Sequence, residues 1–302
     1  MSASAVRLVL VAALAVACLW LVRAMAAPDM APMAAVPVHW TPAELSTDLY
    51  ESSPAFSRDG RELYFFRADR QFGRYRLLQS RCVEGRWSEP QPTAFAAPAG
   101  TLEADPSLTL DGRRLYYVSS RHRGAEQEDL DIWFVERAAA GAWGKPQRLP
   151  EPVNSTAPEL FPRPLADGRL VFGSSRPGGH GQGDIYIATP RSDGGWRVDN
   201  IGSPISTAAY EYEAELSRDG NVMVVVADRG DRSHLYVYDR RDDAWTERGR
   251  VRARNDVFQV GPLLSPSADR LLFAQAQGDR SGEFFLVDLR PDPDPGWPPV
   301  CR

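Results

Sequence analysis

The sequence is short of the residue types that build most metal and nucleophilic sites. Of its 302 residues, three are cysteine (Cys18, Cys82, Cys301) and four are histidine (His39, His122, His180, His234). No two histidines have the spacing of a metal pair, so no histidine-based metal centre is expected. A Gly-x-Ser-x-Gly elbow is missing, and the length leaves no room for an α/β-hydrolase domain beside another fold. No Gly-Lys-Ser/Thr step follows a glycine-rich stretch, which excludes a phosphate loop of that type. Apolar residues nowhere sustain the i, i+3, i+4 spacing of an amphipathic helix, and the 25 prolines and 24 glycines are scattered as turn punctuation. Acids outnumber bases, 40 Asp and Glu against 35 Lys and Arg. A net charge of −5 does not suit a nucleic-acid or anionic-membrane surface.

Long apolar runs are limited to Leu8–Val22 after Arg7, about 15 residues where a spanning helix needs roughly 20. With the small-x-small step Ala24-Met25-Ala26, residues 1–26 read as a signal peptide or, if uncut, as an N-terminal anchor through residues 8–22. Cleavage would remove Arg7 and Arg23 and no acid, taking the charge to −7. Ala15-Val16-Ala17-Cys18 is a poor lipoprotein box, because Ala stands where Leu is usual and the apolar run continues past Cys18. Residues 27–37 read as a mobile Pro/Ala-rich spacer, 38–290 as one folded domain and 291–302 as a C-terminal tail. The expected location is periplasmic or secreted, with membrane contact only through an uncleaved N-terminal segment. In that compartment the two cysteines left, Cys82 and Cys301, are candidates for a disulfide.

What the sequence does contain is a repeat. Asp59, Asp111, Asp167 and Asp219 each precede a Gly, and Asp269 continues the series without one, at intervals of 52, 56, 52 and 50 residues. Before each Asp lies a short strand pattern, and after it a β-branched or aromatic run such as Leu63-Tyr64-Phe65-Phe66. Asp-Gly between them is a hairpin turn, since Gly accepts the positive φ required there. A third run (Ile132–Val135, Ile185–Ile187, Leu235–Tyr238, Phe284–Val287) and a Trp strand (Trp87, Trp143, Trp196, Trp245) complete each unit. Four antiparallel strands per unit of this length describe a β-propeller blade. The fold class is therefore all-β, a single propeller of five blades, with six as the alternative. The fifth unit has no Trp strand of its own, so the strand at Trp40 is expected to complete it by pairing with Phe284–Val287.

Trp-x-x-Pro, Asn154-Ser155, Glu159-Leu160-Phe161-Pro162, Asp167-Gly168, Ser174-Ser175-Arg176-Pro177-Gly178-Gly179 and Asp184-Ile185-Tyr186 follow one another in the third unit. This order resembles the TolB-type, WD-like propeller repeats of bacterial envelope proteins, over roughly Trp40 to Leu289. The resemblance implies a noncatalytic, exported interaction module whose partner is an envelope protein or a cell-wall glycan.

Eight residues before the turn Asp stand Glu51, Glu103, Glu159 and Glu211, with Gly261 in the fifth unit; about ten after it stand Arg70, Arg121, Arg176, Arg229 and Arg280. Antiparallel pairing puts these at one end of the blade, so up to four carboxylates are expected near the channel mouth. They could bind a cation or contain the acid and base of a glycan-active hydrolase, which needs two carboxyls about 5 to 10 Å apart. Recurrence in four units favours instead a structural pairing of Glu with Arg or backbone donors. No catalytic residue and no cofactor is assigned, a divalent cation at the channel mouth being the one inorganic ligand such carboxylates would suit. The candidate ligand face comprises Glu51, Glu103, Glu159, Glu211, Arg121, Arg176, His180 and Asp184. The glycine-rich loop around His180 is taken as mobile and ligand-facing, Asp131 and Asp184 as turn caps, and Tyr210 and Tyr212 as aromatics that could stack on a sugar.

Overall fold

The computed structural model describes residues 33–71, 73–122, 129–138, 141–254, 257–277 and 280–302. The leader 1–26 and the first part of the spacer lie outside them. The described residues form strands and no helix.

The inner strands are β2 (Tyr50–Phe56), β7 (Glu103–Leu108), β11 (Glu159–Pro164), β15 (Tyr210–Leu216) and β19 (Gln259–Leu264). Each turns back into a second strand: β3 (Glu62–Ala68), β8 (Arg114–Ser119), β12 (Leu170–Ser174), β16 (Val222–Asp228) and β20 (Arg270–Gln277). Third strands follow at β4 (Arg76–Val83), β9 (Asp131–Glu136), β13 (Asp184–Pro190), β17 (Ser233–Arg241) and β21 (Arg280–Asp288). The outer positions are taken by β5 (Arg86–Trp87) with β6 (Gln91–Pro92), β10 (Gln147–Arg148), β14 (Trp196–Asn200) and β18 (Ala244–Arg250). The last meander borrows β1 (Val38–His39) from the start of the chain, pairing Val38 with Leu286 and His39 with Phe285. Trp40 N donates to Phe284 O at 2.9 Å, so the strand near Trp40 closes the ring against Phe284–Val287. The inner strands neighbour one another in a cycle, β2–β7–β11–β15–β19 and back to β2. The fold is a β-propeller, with no sixth meander among the described residues.

The hairpin turns work as the sequence requires in four meanders. Gly60, Gly112, Gly168 and Gly220 hold φ of 68°, 69°, 86° and 74°. The preceding Asp makes the turn rigid: Asp59 accepts from the Ser57 hydroxyl at 2.6 Å and from Arg61 N at 3.1 Å. The fifth turn corrects the sequence register. There Ala268 carries the positive φ of 53°, so Ser267-Ala268 replaces Asp-Gly and Asp269 follows directly after it, two residues past the position that Asp holds in the other turns. In consequence Gln259, not Gly261, stands where the other units have Glu.

The sheets pack face to face through strands that are apolar on both sides, of which β16, buried from Val222 to Ala227, is the plainest case. The tail after the last strand crosses the hairpin-turn face from the fifth meander to the first. Arg270 Nη1 donates to Trp297 O at 2.6 Å, Asp294 N to Asp269 Oδ2 at 2.8 Å, and Cys301 is disulfide-bonded to Cys82, their Cα atoms 5.3 Å apart. Of the spacer, residues 33–37 are not free: Met33 N donates to Arg250 O at 2.8 Å, and Met33 and Ala35 pack on the core.

Candidate functional site

The four recurrent glutamates sit at the start of their inner strands, beneath the segments that enter each meander, and none is more than 3% exposed. They do not line an open channel mouth. Glu51 accepts from the Thr47 hydroxyl at 2.5 Å and Arg67 Nε at 2.7 Å. Glu103 accepts from Ala97 N at 3.0 Å and from Arg121. Glu159 takes Ser155 N at 3.0 Å, the Ser155 hydroxyl at 2.5 Å, the Ser174 hydroxyl at 3.1 Å and Arg176 Nη2 at 3.0 Å. Glu211 is held by Thr207 N at 3.0 Å and the Thr207 hydroxyl at 2.6 Å.

The arginines also clamp the entering segments, through Leu45 O (Arg67), Phe95 O (Arg121), and Pro152 O and Val153 O (Arg176). The Asn-Ser step joins two meanders: Asn154 bonds Ile132 N and O of the preceding one, while Ser155 holds the Glu of its own. Burial pushes Glu51 up to about 7 against Thr47 and Arg67, and raises Glu159 and Glu211 as well. Two expectations shift here. Arg67 rather than Arg70 partners Glu51, because Arg70 turns outward to Asp48, and Arg229 turns to Glu247 at 2.8 Å. The Arg280 side chain lies outside the described residues.

The glycine-rich loop is packed down rather than held out for a ligand. A Cβ on Gly179 would stand 1.8 Å from Asp184 Oδ2, one on Gly181 2.1 Å from Ala209 O, and one on Gly183 2.6 Å from the Tyr210 ring. Glycine is needed because the backbone lies directly on its neighbours. Asp184 caps this loop by accepting from His180 N at 2.7 Å, with the His180 side chain exposed. Asp131, at the same place in its meander, makes a two-pronged ion pair with Arg148 at 2.7 and 2.8 Å instead of capping a turn. Tyr210 and Tyr212 stack on each other at 4.9 Å, and the Tyr212 hydroxyl donates to Ser233.

The chemistry gathers on the axis. The Glu-x-x-Pro step is a β-bulge in which the residue before Pro takes a left-handed φ: Ser53 (52°), Asp105 (54°), Phe161 (53°) and Gly261 (65°). These residues bond across the ring. Asp105 accepts from the Ser53 hydroxyl at 2.8 Å and Phe161 N at 3.1 Å, and Glu213 accepts from Gly261 N at 2.7 Å. Arg163 crosses the centre from the third meander to three others, reaching Pro106 O at 3.0 Å, Pro262 O at 3.4 Å and Glu215 Oε2 at 2.8 Å, with its guanidinium 3.6 Å above the Phe161 ring.

One guanidinium therefore faces three carboxyls in a buried place. Burial first, then the charge of Asp105, pushes Glu213 up to about 8; burial pushes Glu215 up to about 7 against the pull of Arg163; Asp105 is raised by burial too. Among the described residues no three His, Cys, Asp or Glu side chains gather in a way that would hold a metal ion.

Arg163 and Glu215 also floor a cavity of about 440 Å³ that opens on the hairpin-turn face, the end opposite the recurrent glutamates. The last residues of every inner strand, the turns and the tail residues Trp297 and Pro299 make its wall. A second cavity, of about 790 Å³, opens on the same face between the first and second meanders and shares Arg58. The axial residues escape a search for repeats because they do not repeat. The positions equivalent to Arg163 and Glu215 hold Ala55, Ser107 and Leu263, and that departure was the available signal.

No protein-family model matches the chain, and no curated protein matches it. The TolB-type resemblance stands on its motifs alone. Solved structures do match. A family 117 glycoside hydrolase of the marine bacterium Zobellia galactanivorans superposes with a TM-score of 0.57 at 12% identity, over 87% of this chain and 93% of that one. An α-L-arabinofuranosidase from Lactobacillus brevis gives 0.50 at 14% identity, over 81% and 92%. A periplasmic gluconolactonase from Pseudomonas aeruginosa gives 0.44 at 14% identity, over 77% and 70%. At such identities the likeness establishes the propeller fold and leaves the activity open.

Proposed function

We propose that this five-bladed propeller is a glycan-active hydrolase working from the funnel on the hairpin-turn face, with Glu215 as the carboxyl that meets the substrate. The observation that carries this reading is Glu215 beside Arg163 in the funnel lining, with Asp105 and Glu213 buried around the same guanidinium. A single cation offsets a single buried negative charge, and burial keeps protons on the remaining carboxyls. Near neutral pH the axial group then holds both a protonated and an ionised carboxyl, the kind of pairing that acid–base cleavage of a glycosidic bond uses, and Glu215 is its member that lines the funnel. Glu215, raised to about 7 and facing the funnel, is poised to give a proton to a leaving oxygen. Two propellers of matching size are themselves glycosidases, which is in keeping with the reading.

The rival is a noncatalytic module that binds an envelope glycan or protein. It is favoured by the ion pair between Glu215 and Arg163, which a purely structural plug would also make. Export to the periplasm, with residues 1–26 removed or kept as an anchor, belongs to both readings and is checked by N-terminal sequencing of the mature protein. Turnover of a glycan panel by the wild-type protein and by Glu215→Gln decides between them. Hydrolysis that the variant loses supports the enzyme; glycan binding without turnover in either protein leaves the binding module.

A further inference from the structure

The wall of the funnel is unevenly charged. It carries Arg58, Arg169, Arg218 and Arg240 above Arg163, against Asp167, Asp219 and Glu215. Every acid in it is engaged: Glu215 with Arg163, Asp167 with Arg169 at 2.7 Å, and Asp219 with the Ser217 hydroxyl at 2.6 Å and Asn221 N at 3.1 Å. Arg240 is occupied by Asp243 at 2.8 Å. Arg58 and Arg218 are exposed, and among the described residues neither has a hydrogen-bond or ion-pair partner.

Both occur in the same tetrapeptide, Ser57-Arg58-Asp59-Gly60 and Ser217-Arg218-Asp219-Gly220. In each the Ser hydroxyl and backbone already satisfy the Asp, so the turn has no need of the Arg. The other three turns confirm this by holding Leu110, Ala166 and Pro266 at that position. Two cations that the fold does not require thus stand in the wall of a cavity on a chain whose net charge is −5. A local positive funnel on an acidic protein concentrates anions there.

We infer that the funnel takes an anionic saccharide, a sugar chain bearing carboxylate groups, and that Arg58 and Arg218 determine this specificity by pairing with those groups. The inference rests on the funnel being the site of glycan binding. Guanidinium forks match carboxylates in two-pronged geometry, and such charge-assisted bonds are the strong ones. The aromatic residues Phe56 and Trp297 in the same wall supply apolar surface for the sugar rings.

The test is calorimetry of the full-length mature protein with tetragalacturonate, a mannuronate tetramer and a hyaluronan hexasaccharide. Methyl-esterified tetragalacturonide, of equal length but uncharged, and inorganic sulfate serve as controls. At least one acidic oligosaccharide should bind, weaken with added salt, and lose roughly tenfold or more in affinity with Arg58→Ala and with Arg218→Ala. Arg58→Lys should recover part of the loss, which a merely structural role would not allow. Equal binding of the methyl ester, failure of all three acidic oligosaccharides, or sulfate binding as tightly as the best of them would overturn the inference. Hydrolysis confined to neutral glycans would leave the enzyme reading intact while removing this one; Arg-dependent binding of an acidic oligosaccharide without turnover would do the reverse.

Discussion

The two ends of the blades solve the problem of buried charge differently. At the entering end, Glu51, Glu103 and Glu159 each have their own arginine, and Glu211 its own threonine, with hydroxyl and backbone donors completing the set. On the axis and at the turn end, one arginine serves Asp105, Glu213 and Glu215. The first arrangement recurs from unit to unit; the second occurs once. A contact that must tie every blade to the next has to be repeated, whereas chemistry is needed in one place. Within a repeat protein, the residues that break the pattern therefore carry more functional information than those that keep it.

The comparison is most sharply broken at Glu215. Glu215→Gln should reduce turnover of whatever glycan the wild-type protein cleaves by roughly 10²- to 10⁴-fold, with some loss of stability because buried Arg163 loses its ion-pair partner. Normal turnover in this variant would return the axis to a structural role. The tail comes next. Replacing Cys82 and Cys301 together by Ser opens a loop of 219 residues, and the chain-entropy model gives a loss of about 5 kcal/mol, often less in practice. Because the tail forms part of the funnel wall, ligand binding should weaken in this variant even at temperatures where it is folded. Retained affinity in the folded double mutant would show that the tail is no part of the site.

A smaller effect is expected at the other end. Glu159→Ala leaves Arg176 and Ser155 without their acceptor and should cost about 1–3 kcal/mol, read by denaturant unfolding, with unchanged affinity at the funnel. A loss of binding without a loss of stability would reverse the assignment of the two ends.

The smallest effect is a change in pH dependence. Glu213 and Glu215 hold their protons up to about 8 and 7 in the fold, whereas in the unfolded chain a glutamate titrates near pH 4.3. The folded state therefore binds more protons across this window. The stability these groups contribute is complete below about pH 4 and is lost as pH rises towards about 8. Glu213→Gln should flatten the melting temperature between pH 5 and 8, raising it at the alkaline end relative to the wild type. Some slope should persist through Glu51, which is raised to about 7. An identical pH profile in the variant would mean that Glu213 is not protonated in the fold.

The fold was legible because its signals are local and recur. Asp-Gly turns, aromatic second strands and the stray Trp40 lead to a closed propeller by counting. The count slipped where the signal did: Ala268 does the work of glycine in the fifth turn, and nothing in the sequence marks an alanine held at positive φ. The pairing of the recurrent glutamates was also legible, from repetition alone, whereas their burial away from a channel mouth was not. Their partners were less so, since Arg67 and Arg70 lie three residues apart and only the strand register decides which faces Glu51. The glycine loop misled because glycine permits close approach without saying to what; here the neighbour is Asp184 and the next meander. The axial group was hidden for a different reason. Arg163 meets Pro106, Glu215 and Pro262 only when the ring is closed, so no local window contains the site.

The pairing of β1 with β21 has a consequence for how the protein is made. Val38 and His39 are among the first residues of the domain to leave the ribosome, and their partners Leu286 and Phe285 are among the last. Thr41 adds to the delay, since its hydroxyl accepts from Phe284 N at 2.6 Å. Four meanders can form in order as the chain grows, but the ring has no closed state until synthesis is nearly complete. A message cut short before the codon for Phe284 would thus yield an open array with a bare strand edge at each end. Such edges pair with one another between chains, so truncated products should collect as aggregates rather than as small soluble propellers.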